Sequence, residues 1–172
     1  VDGKVGKALS FDGVDDYVEI NDPFLNNTEF SIVLWVNTRV RNDGYFHGFI
    51  GKQGDLCRKP GMWLSYGHNG GLHYDSWDSS CGIRYGGIFA DYFLNTNTWY
   101  LVSWTKTGTT YKFYRDGSFF VQGNAPSTFY RTASSYWIGR VDNFWNGLID
   151  EVRIYNRALS DQEIKALYDA TK

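Results

Sequence analysis

The chain has 172 residues, an ordinary size for one sandwich domain with a real core. Aromatics make up 19% of it, glycine is frequent, and proline and methionine are rare, a mix that reads as all-β. A formal net charge of -2 excludes the basic footprint of a nucleic-acid binder, and no apolar run is long enough to insert in a membrane.

In chain order, residues 8–11 and 17–20 read as short strands around the turn Asp12-Gly13-Val14-Asp15-Asp16. Pro23 and Asn26-Asn27 mark a loop. Residues 30–36 form a near-continuous aromatic and β-branched run, typical of a central strand, and 49–52 a further strand ending in a turn. Residues 62–66 and 72–77 predict a hairpin turning at Asn69-Gly70-Gly71. Residues 78–87 are rich in Ser, Gly and charge. Strands follow at 99–105, 110–115, 118–121 and 135–140, with Gly108 and Asp116-Gly117 as turns and 141–145 as a loop.

Residues 148–155 alternate. Leu148, Asp150, Val152 and Ile154 point one way, and Ile149, Glu151, Arg153 and Tyr155 the other. The first face is apolar except for Asp150, so that carboxylate must be hydrogen-bonded, paired or bound to a cation. Ser160 and Glu163 spell a capping box, and Ile164 with Leu167-Tyr168 gives a short helix its apolar stripe. About a dozen short strands and one terminal helix predict two antiparallel sheets packed face to face. With no internal repeat or linker, residues 1–172 read as one domain.

The closing segment Asn146-Gly147-Leu148-Ile149-Asp150-Glu151-Val152-Arg153-Ile154-Tyr155-Asn156-Arg157-Ala158-Leu159 resembles the closing signature of laminin-G-like, concanavalin A-like lectin-glucanase jelly-roll domains of secreted proteins. The opening Gly6-Lys7-Ala8-Leu9-Ser10-Phe11-Asp12-Gly13-Val14-Asp15-Asp16-Tyr17-Val18-Glu19-Ile20 is similar to that family's first strand pair. The resemblance implies an all-β two-sheet jelly roll, excised from a larger extracellular or cell-surface protein. It also implies a structural calcium. Calcium takes several oxygen ligands, and the Asp-rich first turn offers that chemistry. Asp12 and Asp150 are the first-choice ligands and Asp15 and Asp16 the second, one ion tying both chain ends together. The alternative is that these groups cap their own turn, are solvated, or accept backbone N–H bonds.

The residues carry no catalytic constellation. There is no E-x-D-x-x-E strand and no G-x-S-x-G, and His47, His68 and His73 make no recognisable triad. Cys57 and Cys81 bracket the irregular middle region, where they read as a disulfide or as two unrelated buried thiols. Trp35, Trp99, Trp104 and Trp137 lie among apolar strand residues and are assigned to the core. The middle region differs. His73, Asp75 and Trp77 share one face of their strand, beside Trp63 and Ser65, with Arg84, Tyr85, Asp91 and Tyr92 nearby. Sugar rings stack on Trp and Tyr while Asp, Arg and His bond their hydroxyls, so this cluster is the candidate carbohydrate site. Trp145 with Asp142 and Asn143 is a second candidate. The expected function is a non-catalytic, monomeric module that binds a glycan or polysaccharide. A protein-interaction or adhesion domain for a surface protein is the alternative.

Overall fold

In the computed structural model, residues 1–21, 28–40, 44–51, 94–124, 135–141 and 143–172 are described in full, and the strands at 62–66, 72–77 and 84–90 by their backbone. The strands, in chain order, are β1 (Leu9–Asp12), β2 (Val18–Asn21), β3 (Glu29–Thr38), β4 (His47–Gly51), β5 (Met62–Tyr66), β6 (Leu72–Trp77), β7 (Arg84–Ala90), β8 (Trp99–Thr107), β9 (Thr110–Arg115), β10 (Ser118–Asn124), β11 (Ser135–Ile138) and β12 (Asn146–Tyr155), followed by helix α1 (Asp161–Thr171). They form two antiparallel sheets, β1-β12-β3-β8-β9-β10 and β2-β11-β4-β5-β6-β7, the sandwich that the alternating strands predict.

Strand alternation sorts the side chains of the first sheet into two apolar layers. Phe30, Ile32, Leu34 and Val36 of β3 and Tyr100, Val102 and Trp104 of β8 turn into the space between the sheets. Val33, Trp35, Leu101 and Tyr114 turn outward, where Ile164, Leu167 and Tyr168 of α1 cover them. β3 is thus buried on both faces, which is why its residues 32–36 are apolar without a break. The helix starts where the capping box places it. Ser160 Oγ accepts the Glu163 N–H at 3.3 Å, and the Glu163 carboxylate accepts the Ser160 N–H at 2.8 Å. No described helix is long and apolar enough to cross a membrane.

Trp35 also gathers the two chain ends. Its indole Nε1 donates to Thr171 Oγ1 at 3.0 Å, and the Lys4 ammonium lies 4.8 Å from its ring centre.

Three sequence assignments are corrected. The simple alternation of β12 fails because its register against β3 slips by one residue between Asp150 and Arg153, with Glu151 in the left-handed region at φ 50°. A bulge reverses the faces. Ile149 therefore joins the core before it and Val152 and Ile154 after it, while Asp150 stands opposite Trp35 on the helix side of the sheet. Trp137 is not core. Tyr136 and Ile138 take the inward positions of β11, and alternation leaves Trp137 half-buried on the outer face. Trp145, the second sugar candidate, is fully buried against Phe49 at 4.8 Å and donates its Nε1–H to Leu148 O at 3.3 Å. Trp104 is core, Trp35 lies under the helix, and Trp99 packs at the edge of that helix-side cluster.

Candidate functional site

Helix α1 closes the outer face of the first sheet, and the described outward side chains of the second sheet belong to a different kind of surface. On β2, Val18 and Ile20 pack against the core, while Tyr17, just before the strand, and Glu19 are exposed. Backbone register carries this outer face across the sheet. Glu19 pairs with Trp137, Trp137 with Gly51, Gly51 with Trp63, and Trp63 with Asp75. Directly opposed residues share a face, and the neighbouring pair Ile138 and Ile50 belongs to the core side.

The predicted hairpin is formed by β5 and β6, with Ser65 opposite His73. Trp63, Ser65, His73 and Asp75 therefore occupy register positions on the face of Trp137. Trp77 has the same parity and stands opposite Arg84. Tyr85 stands opposite Ser76, on the other face, because β7 gains a residue between the partners of Tyr74 and Ser76, where Gly86 and Gly87 both fall against Asp75. The side chains of Trp63, His73, Asp75, Trp77, Arg84 and Tyr85 lie outside the described residues, as do Cys57, Cys81, Asp91, Tyr92 and Asp142 altogether. Asn143 donates from Nδ2 to Phe46 O at 3.4 Å.

At the β11 end of this face sits a cluster that the sequence reading did not assemble. Tyr17 meets Trp137 edge-on at 5.8 Å and Phe144 at 6.4 Å. The Arg140 guanidinium lies over all three rings, 4.3 Å from Trp137, 4.9 Å from Phe144 and 5.2 Å from Tyr17. A tight loop sets this geometry. Gly139 takes φ 83°, and a Cβ there would run into the Phe11 ring. Its N–H bonds Phe49 O at 2.9 Å and its carbonyl accepts the Trp145 N–H at 2.7 Å. Arg140 and Phe144 then pair across the loop, with Val141 inside it and Trp145 just beyond it both buried. His47 donates from Nδ1 to Phe144 O at 2.8 Å, which fixes its tautomer, since a carbonyl can only accept. The legible signal was the alternation Tyr136-Trp137-Ile138: with the first and third inside, the tryptophan faces out; Arg140 has the opposite parity and reaches the same rings because the left-handed Gly139 breaks the alternation.

The proposed metal ligands separate into two places. Asp12, Asp15 and Asp16 present carboxylate oxygens within 4.8 Å of one another, all exposed, and together could hold a hard cation. Part of that capacity serves the turn itself. Asp12 Oδ1 accepts the Val14 and Asp15 N–H groups at 2.8 and 3.4 Å, and Asp16 Oδ2 accepts the Asp12 N–H at 3.0 Å. The first and last strands are neighbours as expected, but Asp12 pairs with Asn146, four positions from Asp150. At about 3.3 Å per residue that is roughly 13 Å, too far for one ion to bind both. Asp150 is buried and already hydrogen-bonded: Oδ2 accepts the Val5 N–H at 2.9 Å and Oδ1 the Glu151 N–H at 2.8 Å.

Comparison with solved structures gives the same architecture. Domain 4 of a GH43 extracellular arabinanase from Geobacillus stearothermophilus, solved with arabinotriose, is 24% identical at a TM-score of 0.77, over 98% of this chain and 79% of that one. The CBM40 domain of the Ruminococcus gnavus IT-sialidase, bound to alpha2,3 sialyllactose, is 13% identical at 0.70, over 94% and 98%. The binding domain of Paraclostridial Mosquitocidal Protein 1 is 17% identical at 0.74, but this chain spans 45% of it. At these identities the likeness is one of fold. No curated protein matches the sequence. The family model of the concanavalin A-like lectin/glucanases superfamily matches residues 12–165, nearly the whole sandwich, and this chain belongs to that superfamily.

Proposed function

We propose that this domain is a non-catalytic carbohydrate-binding module of an extracellular or surface protein, and that it binds through the outer face of its second sheet. The observation that carries the reading is the register row Glu19, Trp137, Gly51, Trp63, Asp75. It sets two tryptophans on one face, two strand spacings or about 9.5 Å apart, with a glycine between them. Such a row supplies stacking positions for sugar rings, with the Asp75 and His73 positions beside it for hydroxyls. The glycans held by similar domains support the same reading. Trp63→Ala and Trp137→Ala should each weaken binding of oligosaccharides by at least about ten-fold in calorimetric titration. The partly exposed Trp137 should cost no more than about 2 kcal/mol of stability when truncated. If no oligosaccharide binds and a surface protein is captured through the same tryptophans, the face is an adhesion surface instead.

Two further features belong to the proposal. A structural calcium would sit at the Asp12, Asp15 and Asp16 carboxylates alone. Cys57 and Cys81 would form a disulfide worth roughly 3–4 kcal/mol in the chain-entropy model; two free thiols in non-reducing mass spectrometry of native protein would exclude it.

A further inference from the structure

We infer that the carbohydrate face selects an acidic sugar, and that Arg140 is the residue that binds its carboxylate. This rests on the carbohydrate-binding reading and names the substrate class of that site. The arginines with described side chains supply the contrast. Arg39 donates to Phe11 O at 2.8 Å and to Ser10 Oγ at 2.9 Å. Arg115 pairs with Asp116, Arg153 with Glu151 and Arg157 with Glu163. Arg140 has rings on its guanidinium and, among the described residues, no acidic or carbonyl partner.

Aromatic rings engage the flat face of a guanidinium through their quadrupole but accept little from its in-plane N–H groups. Five N–H donors point out around the edge of that plane. The rings strip part of the water from a charge whose N–H groups have no partner among the described residues. A carboxylate meets that need with two parallel N–H···O bonds, a geometry that neutral hydroxyls do not match.

Position selects a sugar acid over a free anion. Trp137 is both the ring beneath Arg140 and a member of the row through Gly51 to Trp63. A pyranose stacked beside Trp137 would bring a ring-borne carboxylate to Arg140. Glu19 stands opposite Trp137 on β2, exposed, so the ligand's acid group is directed to the loop side and its hydroxyls toward β2. The loop is held before binding by the bonds from Gly139, by the Arg140–Phe144 pairing and by the His47 bond to Phe144 O. Little ordering cost remains at association.

The test titrates the domain with trigalacturonic acid against galactotriose, and with α2,3-sialyllactose against lactose. The two pairs separate a uronic acid from a sialic acid as the source of the carboxylate. At least one acidic sugar should bind about ten-fold or more tightly than its neutral counterpart, the preference shrinking as salt rises. Arg140→Gln should remove the preference, whereas Trp137→Ala should weaken acidic and neutral sugars alike. Arg140→Lys keeps the charge but loses the planar fork, and should retain only part of the preference; it decides the matter if the glutamine variant fails to fold. Equal binding of acidic and neutral sugars, or a preference that survives both Arg140 substitutions, overturns the acidic-sugar inference while the carbohydrate reading stands. Absence of binding to all four sugars and across a wider glycan array overturns the carbohydrate reading, and this inference with it.

Discussion

Asp150 holds two backbone N–H groups inside the protein, one from the N-terminal segment at Val5 and one from the bulge residue Glu151. Asp150→Ala leaves both donors without their acceptor in a buried setting, and should destabilise the domain by roughly 2–4 kcal/mol. Urea unfolding would read this as a lower midpoint at an unchanged slope. A variant as stable as the parent would mean that the N-terminal segment is held by something else. The sequence demanded a partner for this carboxylate and was right to do so. It could not say which partner, because a one-residue bulge turns the strand over and no local signal announces it. Position 151 is a glutamate, where a left-handed residue is more often glycine or asparagine.

The first turn and the helix cap are the elements whose chemistry can be tested by solution conditions. If calcium binds the Asp12, Asp15 and Asp16 turn, excess chelator should lower the melting temperature and added Ca²⁺ restore it, because a ligand bound only to the folded state stabilises by mass action. Asp12→Asn should remove that response, whereas Asp150→Asn, roughly 13 Å away along the ladder, should lower stability but keep it. A melting curve indifferent to chelator rejects the ion. At the helix, the bidentate Arg157 contact and the Ser160 bonds hold the Glu163 carboxyl at about 2, against an ordinary 4.5. A depressed carboxyl pKa means the unfolded chain takes up the proton first as pH falls. The contribution is therefore complete above about pH 4.5 and lost progressively toward pH 2. Glu163→Gln should lie below the parent at neutral pH and show a flatter melting-temperature profile across that window. Identical profiles would show that the cap does not limit stability. This helix was readable to the residue, since a capping box is a local pattern of four positions.

On the scale of the whole molecule, the two sheets differ in what their outer surfaces do: one is roofed by α1, the other carries the tryptophan row. The fold was legible because strand alternation and the signatures at both ends are written locally. Of the candidate site, about half could be placed from the sequence. The His73, Asp75 and Trp63 positions follow from the period of two and a single turn, and the β5–β6 register sets them together. The Arg140 cluster was not, because it brings Tyr17 from the far end of the chain to residues 137, 140 and 144, and because the left-handed turn at Gly139 sets Arg140 against the alternation of its strand. Trp137 and Trp145 look alike as tryptophans near the end of a chain, and only the loop between them decides that one faces water and the other the core.

Lys4 and Thr171 meet at the ring of Trp35, on the roofed sheet and away from the tryptophan row. The domain is therefore close to a closed loop of chain. A short glycine-rich link from Lys172 to Val1, with new ends opened at the exposed turn around Thr96, should give a circular permutant that folds and binds as the parent does. A permutant that fails to fold would mean that free ends are needed for α1 to dock. If it folds, the domain can be spliced into a surface loop of another protein as a cassette whose entry and exit share one doorway, its working surface pointing away from the host.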